Sequence, residues 1–151
     1  MQEKRKEIKK ENMKENKKEL MQKKYFEYQL VEQQVKQFQQ QLENFQQQLS
    51  DLTDVKSALD DLKTVKEETE IFVPVSSGIF VKARLIPPEK VLVNVGSGTV
   101  VERPLGAAQQ LLQGQEKELT EYTEKVQENL TLLQQHLMTL QEELKELVGE
   151  E

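Results

Sequence analysis

Histidine, clustered glycines and carboxylates are the residue types of this sequence that could do chemistry. His136 is the only histidine and there is no cysteine, so a metal site built from those ligands is not expected. Gly96-Ser97-Gly98 is too short for a dinucleotide fingerprint and precedes a predicted strand instead of a helix. The carboxylates are spread over polar helix faces, without a paired nucleophile and base. The sequence therefore predicts a protein that is not an enzyme and uses no cofactor or metal.

The composition suits long, thin helices better than a compact globule. Of 151 residues, 36% are hydrophobic and 32% are charged, whereas a compact globule is closer to half apolar. No apolar run approaches the length of a membrane span, and the N-terminus is charged from its third residue. The sequence therefore predicts neither a membrane helix nor a secretory signal, and a cytoplasmic location.

Charge is distributed unevenly along the chain. Residues 1–24 contain ten Lys and Arg against five Glu, a balance of +5 in a chain whose net charge is −6. We interpret 1–24 as a basic N-terminal extension, either helical or frayed, that could attract acidic segments. The alternative is a solvated charge run with no role. Because the rest of the chain is acidic, nucleic acid is not an expected partner.

Two segments carry the apolar spacing of a coiled coil, alternating steps of three and four residues. In the first arm, residues 25–68, the seam comprises Tyr28, Val31, Val35, Phe38, Leu42, Phe45, Leu49 and Leu52, and is expected to shift to Val55, Leu59 and Leu62. In the second arm, residues 104–151, it comprises Leu112, Leu119, Tyr122, Val126, Leu130, Leu133, Leu137, Leu140, Leu144 and Leu147, with Gln115 as an interruption. Pro104 marks the expected start of that helix.

The two arms are matched in length. Residues 25–68 and 105–148 each span 44 residues, which makes each helix roughly 66 Å long. Equal arms around a short β segment are expected to fold back on each other, antiparallel, with residues 1–24 projecting beyond the open end. Pairing of each arm with another chain in a parallel dimer is the alternative.

The segment between the arms, residues 69–103, is rich in β-branched residues. Strands are expected over 71–75, 79–86, 91–95 and 99–102, separated by turn residues, which gives two β-hairpins in series. Pro74 cannot donate to a strand ladder, so it indicates an edge or a bulge in the first strand.

Hairpins of this kind are marginally stable alone, and their free edges invite pairing with another chain. We therefore expect an obligate oligomer in which hairpins from several subunits form a shared sheet or barrel. The residues expected to support assembly are Val73, Val75, Ile79, Val81, Val91, Val93, Val95 and Val101.

Two motifs in the β segment resemble those of α-type prefoldin subunits. Residues 72–83, FVPVSSGIFVKA, resemble the family's VPVGxGxFVKA hairpin, and residues 93–103, VNVGSGTVVER, resemble its VxVGxGxxVE strand–turn–strand. Ser76 and Ser77 stand where the family often has Gly and Ala. YFEYQL, residues 25–30, is similar to the start of the family's first helix. The resemblance implies a mainly α fold: a long antiparallel two-helix coiled coil joined by two central hairpins.

The resemblance also implies partners and a site. In the family, two α-type and four β-type subunits share a β-barrel platform, hold non-native polypeptides between coiled-coil tips without ATP, and pass them to a group II chaperonin. By position, the expected client-binding tips are Met21, Tyr25, Phe26, Tyr28, Leu140, Leu144, Leu147 and Val148. For most of these, especially Tyr28, Leu140 and Leu144, a place in the coiled-coil core is the alternative.

Two other interpretations remain open at this stage. The hairpins could polymerise head to tail, which would make the protein a coiled-coil scaffold or filament-forming relative. Alternatively, the basic N-terminal extension could bind nucleic acid, with the helices as a spacer, and binding would then weaken steeply with salt.

Overall fold

The computed structural model describes residues 1–149 and contains two helices and four strands in the expected order. These are α1 (Gln2–Thr64), β1 (Thr69–Ser76), β2 (Ile79–Leu85), β3 (Lys90–Gly96), β4 (Thr99–Pro104) and α2 (Leu105–Gly149). The chain divides into two compact units. We call residues 1–45 with 122–149 the helical unit, and residues 46–121 the hairpin unit. Neither helix, within residues 1–149, contains a stretch long and apolar enough to cross a bilayer.

The helical unit is held together by an apolar seam between α1 and α2. Its core consists of Val31, Val35, Leu130 and Leu140, against which Tyr28, Phe38, Leu42, Leu133 and Leu137 pack. The predicted spacing of three and four is therefore confirmed over this stretch. The ion pair between Lys24 and Glu143 and the hydrogen bond between Glu27 and His136 show that the helices run antiparallel within this unit.

The predicted seam is wrong at two apolar residues, where polar residues take the place. Val55 and Tyr122 are exposed, while Lys56 and Thr123, each one residue further along, are half-buried. In the hairpin unit the ammonium of Lys56 forms an ion pair with Glu116, the next residue after the predicted interruption at Gln115. A lysine can occupy a seam because its aliphatic stem packs while its charged end reaches a partner. The heptad spacing therefore continues through Lys56 and Leu59, and it shifts to steps of three at Leu62, as predicted.

The pair of Lys56 and Glu116 is expected to make the protein less stable to unfolding than an apolar pair at the same positions would. Replacing both residues with leucine should raise the free energy of unfolding by about 1–3 kcal/mol, because partly buried charges pay for lost hydration. Urea unfolding followed by circular dichroism measures this. Glu118→Leu is the control, since Glu118 is exposed two residues away and should change little. A double variant no more stable than the parent protein would contradict the prediction.

The two hairpins are separate two-stranded antiparallel sheets, β1–β2 and β3–β4, and they share one design. Val73 lies opposite Val81 in the first, and Val93 lies opposite Val101 in the second. Each pair in the second hairpin is displaced by 20 residues from its counterpart in the first, including the bulges at Val75 and Val95. The bulge beside Pro74 confirms the irregularity predicted there. The hairpins are thus an internal structural repeat.

Element boundaries differ from the predicted ones at both ends of the β segment. α1 ends at Thr64, not at residue 68, because the carbonyl of Lys66 accepts hydrogen bonds from the amide and hydroxyl of Thr69, and Glu68 adopts a φ of 60°. Pro104 ends β4 instead of starting α2, and the following amide, of Leu105, donates to the carbonyl of Glu89 at 3.3 Å. A proline at the end of an edge strand leaves no ladder donor unpaired.

The second turn requires residues in the left-handed region of φ. Ser97 has a φ of 50° and Gly98 a φ of 71°, as in the type I′ turns that suit two-residue hairpin loops. Gly98 adopts this conformation without cost, and Ser97 is the strained member. The sequence Gly-Ser-Gly therefore supplies the hairpin turn between β3 and β4.

Candidate functional site

The helical unit contains an apolar groove between the N-terminal part of α1 and the C-terminal part of α2. Its volume is about 670 Å³, and it is lined by Met21, Gln22, Tyr25, Gln141, Leu144, Lys145, Val148 and Gly149. The helical spacing of three and four places Met21 and Tyr25 on one side, with Leu144 and Val148 on the other. The groove thus combines flexible, aromatic and aliphatic side chains, which suits contact with varied apolar segments.

The eight predicted tip residues divide into three groups. Tyr25, Phe26 and Val148 are exposed, and Met21, Tyr28, Leu144 and Leu147 are half-buried. Leu140 is 1% exposed and belongs to the core of the helical unit, against which Tyr28 also packs. The structure brings Met21, Tyr25, Leu144 and Val148 together around the groove.

Polar contacts tie the two helices together next to the groove. The ammonium of Lys24 forms an ion pair with Glu143, one residue before Leu144. Farther from the groove, the Nε2 atom of His136 lies 3.0 Å from the Oε1 atom of Glu27. Since both contacts join α1 to α2, they hold the groove walls in a fixed register. This is a structural role for the single histidine.

The comparisons with known proteins agree on one family. The family model described as "Prefoldin subunit" matches residues 31–150. The chain belongs to the prefoldin family. Curated relatives include the prefoldin subunit alpha of Methanobrevibacter smithii, 29% identical over 84 residues that make up 56% of this chain and 58% of the relative. The prefoldin subunit alpha of Thermofilum pendens is 37% identical over 62 residues, 41% of this chain and 48% of the relative.

A solved structure has the same fold. The structure of filamentous PFD from Methanocaldococcus jannaschii, determined by cryo-EM, superimposes with a TM-score of 0.60 at 21% identity, covering 82% of this chain and 96% of that one. The two hairpins and the relatives named prefoldin subunit alpha agree with the resemblance to α-type subunits found in the sequence. The chain spans about half the length of the curated relatives that it matches.

The prefoldin match leaves out part of the groove. It begins at Val31, so Met21 and Tyr25, which line one wall of the groove, precede the matched region. Leu144 and Val148, on the other wall, lie inside it. The α1 wall of the groove therefore lies outside the matched region.

The hairpin residues expected to support assembly lie on one face, except at the bulges and turns. Val91, Val93 and Val101 are half-buried there, and Val73, Val75, Ile79, Val81 and Val95 are exposed. The opposite face was missed by the sequence analysis. It carries Phe72, Phe80, Leu92 and Val100, all exposed, at alternate positions of their strands. The signal was weak in the sequence, because Lys82, Asn94 and Glu102 alternate with these apolar residues on the same face.

Proposed function

We propose that this chain is a subunit of an ATP-independent chaperone that holds non-native polypeptides in the groove of the helical unit. The observation that carries the proposal is the gathering of Met21, Tyr25, Leu144 and Val148 around one open groove in a member of the prefoldin family. Apolar side chains of an unfolded polypeptide that enter this groove release water from both surfaces. The groove contains no feature that demands one particular sequence, which suits many different clients.

The proposed function includes assembly with other subunits. We infer that two alpha-type and four beta-type subunits join through their hairpins into a shared β-barrel, in the cytoplasm, and that the complex passes its clients to a group II chaperonin. Each hairpin exposes large apolar side chains on both faces, although charged residues lie beside them on one face, and exposed apolar surface of this kind favours contact with another subunit. Several grooves acting on one polypeptide would then bind it much more tightly than one groove does.

Replacing Tyr25 with serine tests the groove. Loss of the aromatic contact is expected to weaken binding of an unfolded polypeptide about tenfold, because burying a large apolar side chain contributes about 1.5–3 kcal/mol. The measurement is suppression of aggregation of a refolding protein, together with the affinity for a permanently unfolded one.

Tyr122→Ser is the matched control for this experiment. Tyr122 is 58% exposed, compared with 56% for Tyr25, but it lies outside the groove. The control is expected to hold clients as the parent protein does. If the two variants behave alike, the groove is not the binding site.

The second candidate function is that of a filament-forming structural protein. It is favoured by the likeness of the fold to filamentous PFD from Methanocaldococcus jannaschii. Whether hairpins close into a ring or continue as a filament depends on the rotation at their interface. The mass of the assembly, measured with and without a beta-type subunit, separates the two functions. Filaments that persist with the beta-type subunit and do not suppress aggregation would favour the structural one.

A further inference from the structure

The N-terminal part of α1 is built from a four-residue repeat. Residues 3–18 read EKRK, EIKK, ENMK and ENKK, so that Glu begins and Lys ends each unit. Each Glu precedes a Lys by three positions, the order in which such pairs stabilise an isolated helix. The repeat explains how residues 2–16 form a regular helix although all of them are exposed.

The repeat sorts the charges to different sides of the helix. Four residues advance about 40° beyond one turn, so the five glutamates wind along one side only. On the other side lie Arg5, Lys6, Lys9, Lys10, Met13 and Leu20, all exposed. We call this set the basic face. It contains no carboxylate, and its two apolar residues lie among the cations.

The basic face continues the side of α1 that contacts α2 at the groove. Lys6, Lys10 and Met13 point within roughly a quarter turn of the direction of Met21 and Lys24. At Met21 and Lys24, the residues that α2 places beside α1 indicate which side chains this surface can bind. Glu143 pairs with Lys24, and the neighbouring Leu144 joins Met21 in lining the groove. The matching partner is therefore a segment that combines carboxylates with apolar side chains.

We propose that the basic face binds acidic segments of the same non-native polypeptide whose apolar residues occupy the groove. This inference rests on the proposed holding function and assigns it a class of client: unfolded segments in which apolar stretches are flanked by Asp and Glu. The distribution of charge in the chain supports it. Residues 1–24 carry a balance of +5, whereas the remainder of the chain carries −11, so the net charge favours an acidic client beside residues 1–24 over the rest of the chain.

The test uses two permanently unfolded reporter polypeptides with the same apolar stretch. One has acidic flanks, and in the other every flanking Asp and Glu is replaced by Asn or Gln. The assembled protein is compared with two triple variants. The first, Lys6→Gln with Lys9→Gln and Lys10→Gln, removes three of the four cations of the basic face. The second, Lys4→Gln with Lys14→Gln and Lys18→Gln, removes the same charge from the glutamate side and serves as the control.

Replacing these three lysines of the basic face is expected to weaken binding of the acidic-flank reporter about three- to tenfold at low salt, because three exposed ion contacts are lost. The difference should largely vanish at high salt, where exposed charges are screened. The control variant and the neutral-flank reporter should show little change. Circular dichroism checks that both variants keep the helix.

The outcomes separate this inference from the function on which it rests. If both reporters bind equally and neither variant matters, the inference is wrong while the holding function stands. If neither reporter binds, the holding function fails first. If the basic face instead binds single-stranded RNA with a steep salt dependence, and the acidic-flank reporter does not compete, a nucleic-acid site replaces the one proposed.

Discussion

Replacing Leu140 with alanine is expected to lower the free energy of unfolding by about 2–5 kcal/mol, the range found for leucine-to-alanine changes at buried sites. Leu140 is 1% exposed and belongs to the cluster with Val31, Val35 and Leu130 that joins α1 to α2 in the helical unit. Removing its side chain leaves a cavity in the apolar seam between the two helices. Urea unfolding monitored by circular dichroism, at one protein concentration, measures the loss.

Leu132→Ala provides the control for that loss. It makes the same chemical change on the same helix, but Leu132 is 63% exposed. Substitutions at such positions usually alter stability by no more than about 0.5 kcal/mol. Equal destabilisation by the two changes would show that α2 is not packed through Leu140, and the account of the helical unit would have to be abandoned.

Replacing Phe72 with aspartate is expected to break up the assembly. Phe72 is 67% exposed in the single chain and lies with Phe80 on the hairpin face that the sequence analysis missed. If another subunit covers this face, the apolar contact of Phe72 is lost and the new carboxylate, opposite Lys82 in the ladder, must give up its hydration, at a cost of several kcal/mol. The mass of the complex, measured by light scattering, should then fall to that of small species while α1 and α2 remain helical.

Met138→Asp is the control for this change, because the side chains of Met138 and Phe72 are exposed to a similar extent in the single chain. Met138 is 63% exposed, so in the single chain its environment is as open as that of Phe72. It lies on α2 in the helical unit and belongs to neither hairpin, and its replacement is expected to leave the mass unchanged. An intact complex with Phe72→Asp would mean that the face of Phe72 stays in solvent and that assembly uses another surface.

The order of helices and strands could be predicted from the sequence because it contains two distinct periodicities, one typical of a coiled coil and one typical of β-strands. Steps of three and four predicted the seam around Val31, Val35 and Leu130, and β-branched runs with Gly-containing turns predicted the hairpins. The predicted seam was wrong at Val55 and Tyr122, because these residues are apolar but do not lie at the heptad positions. Lys56 and Glu116 keep the heptad step, but each is charged, and only the structure shows that they satisfy each other.

The candidate site was predicted in part for a similar reason. Position along the helices was enough to select Met21, Tyr25, Leu144 and Val148, which line the groove. Position alone could not separate them from Leu140, because the residues of one heptad seam look alike in sequence whether or not a partner helix covers them. The direction in which each side chain points, and what packs on it, decides between core and groove.

The repetition of the hairpins has a consequence for how a neighbouring subunit finds its place. An incoming strand meets the same spacing of carbonyls and the same bulge on either hairpin, since their ladders are related by a shift of 20 residues, and the amides differ only where Pro74 and Pro104 lack an N–H. Backbone geometry alone would allow it to dock on the wrong one. The equivalent positions Lys82 and Glu102 carry opposite charges, so a single side chain on the newcomer suffices to tell the two docking edges apart.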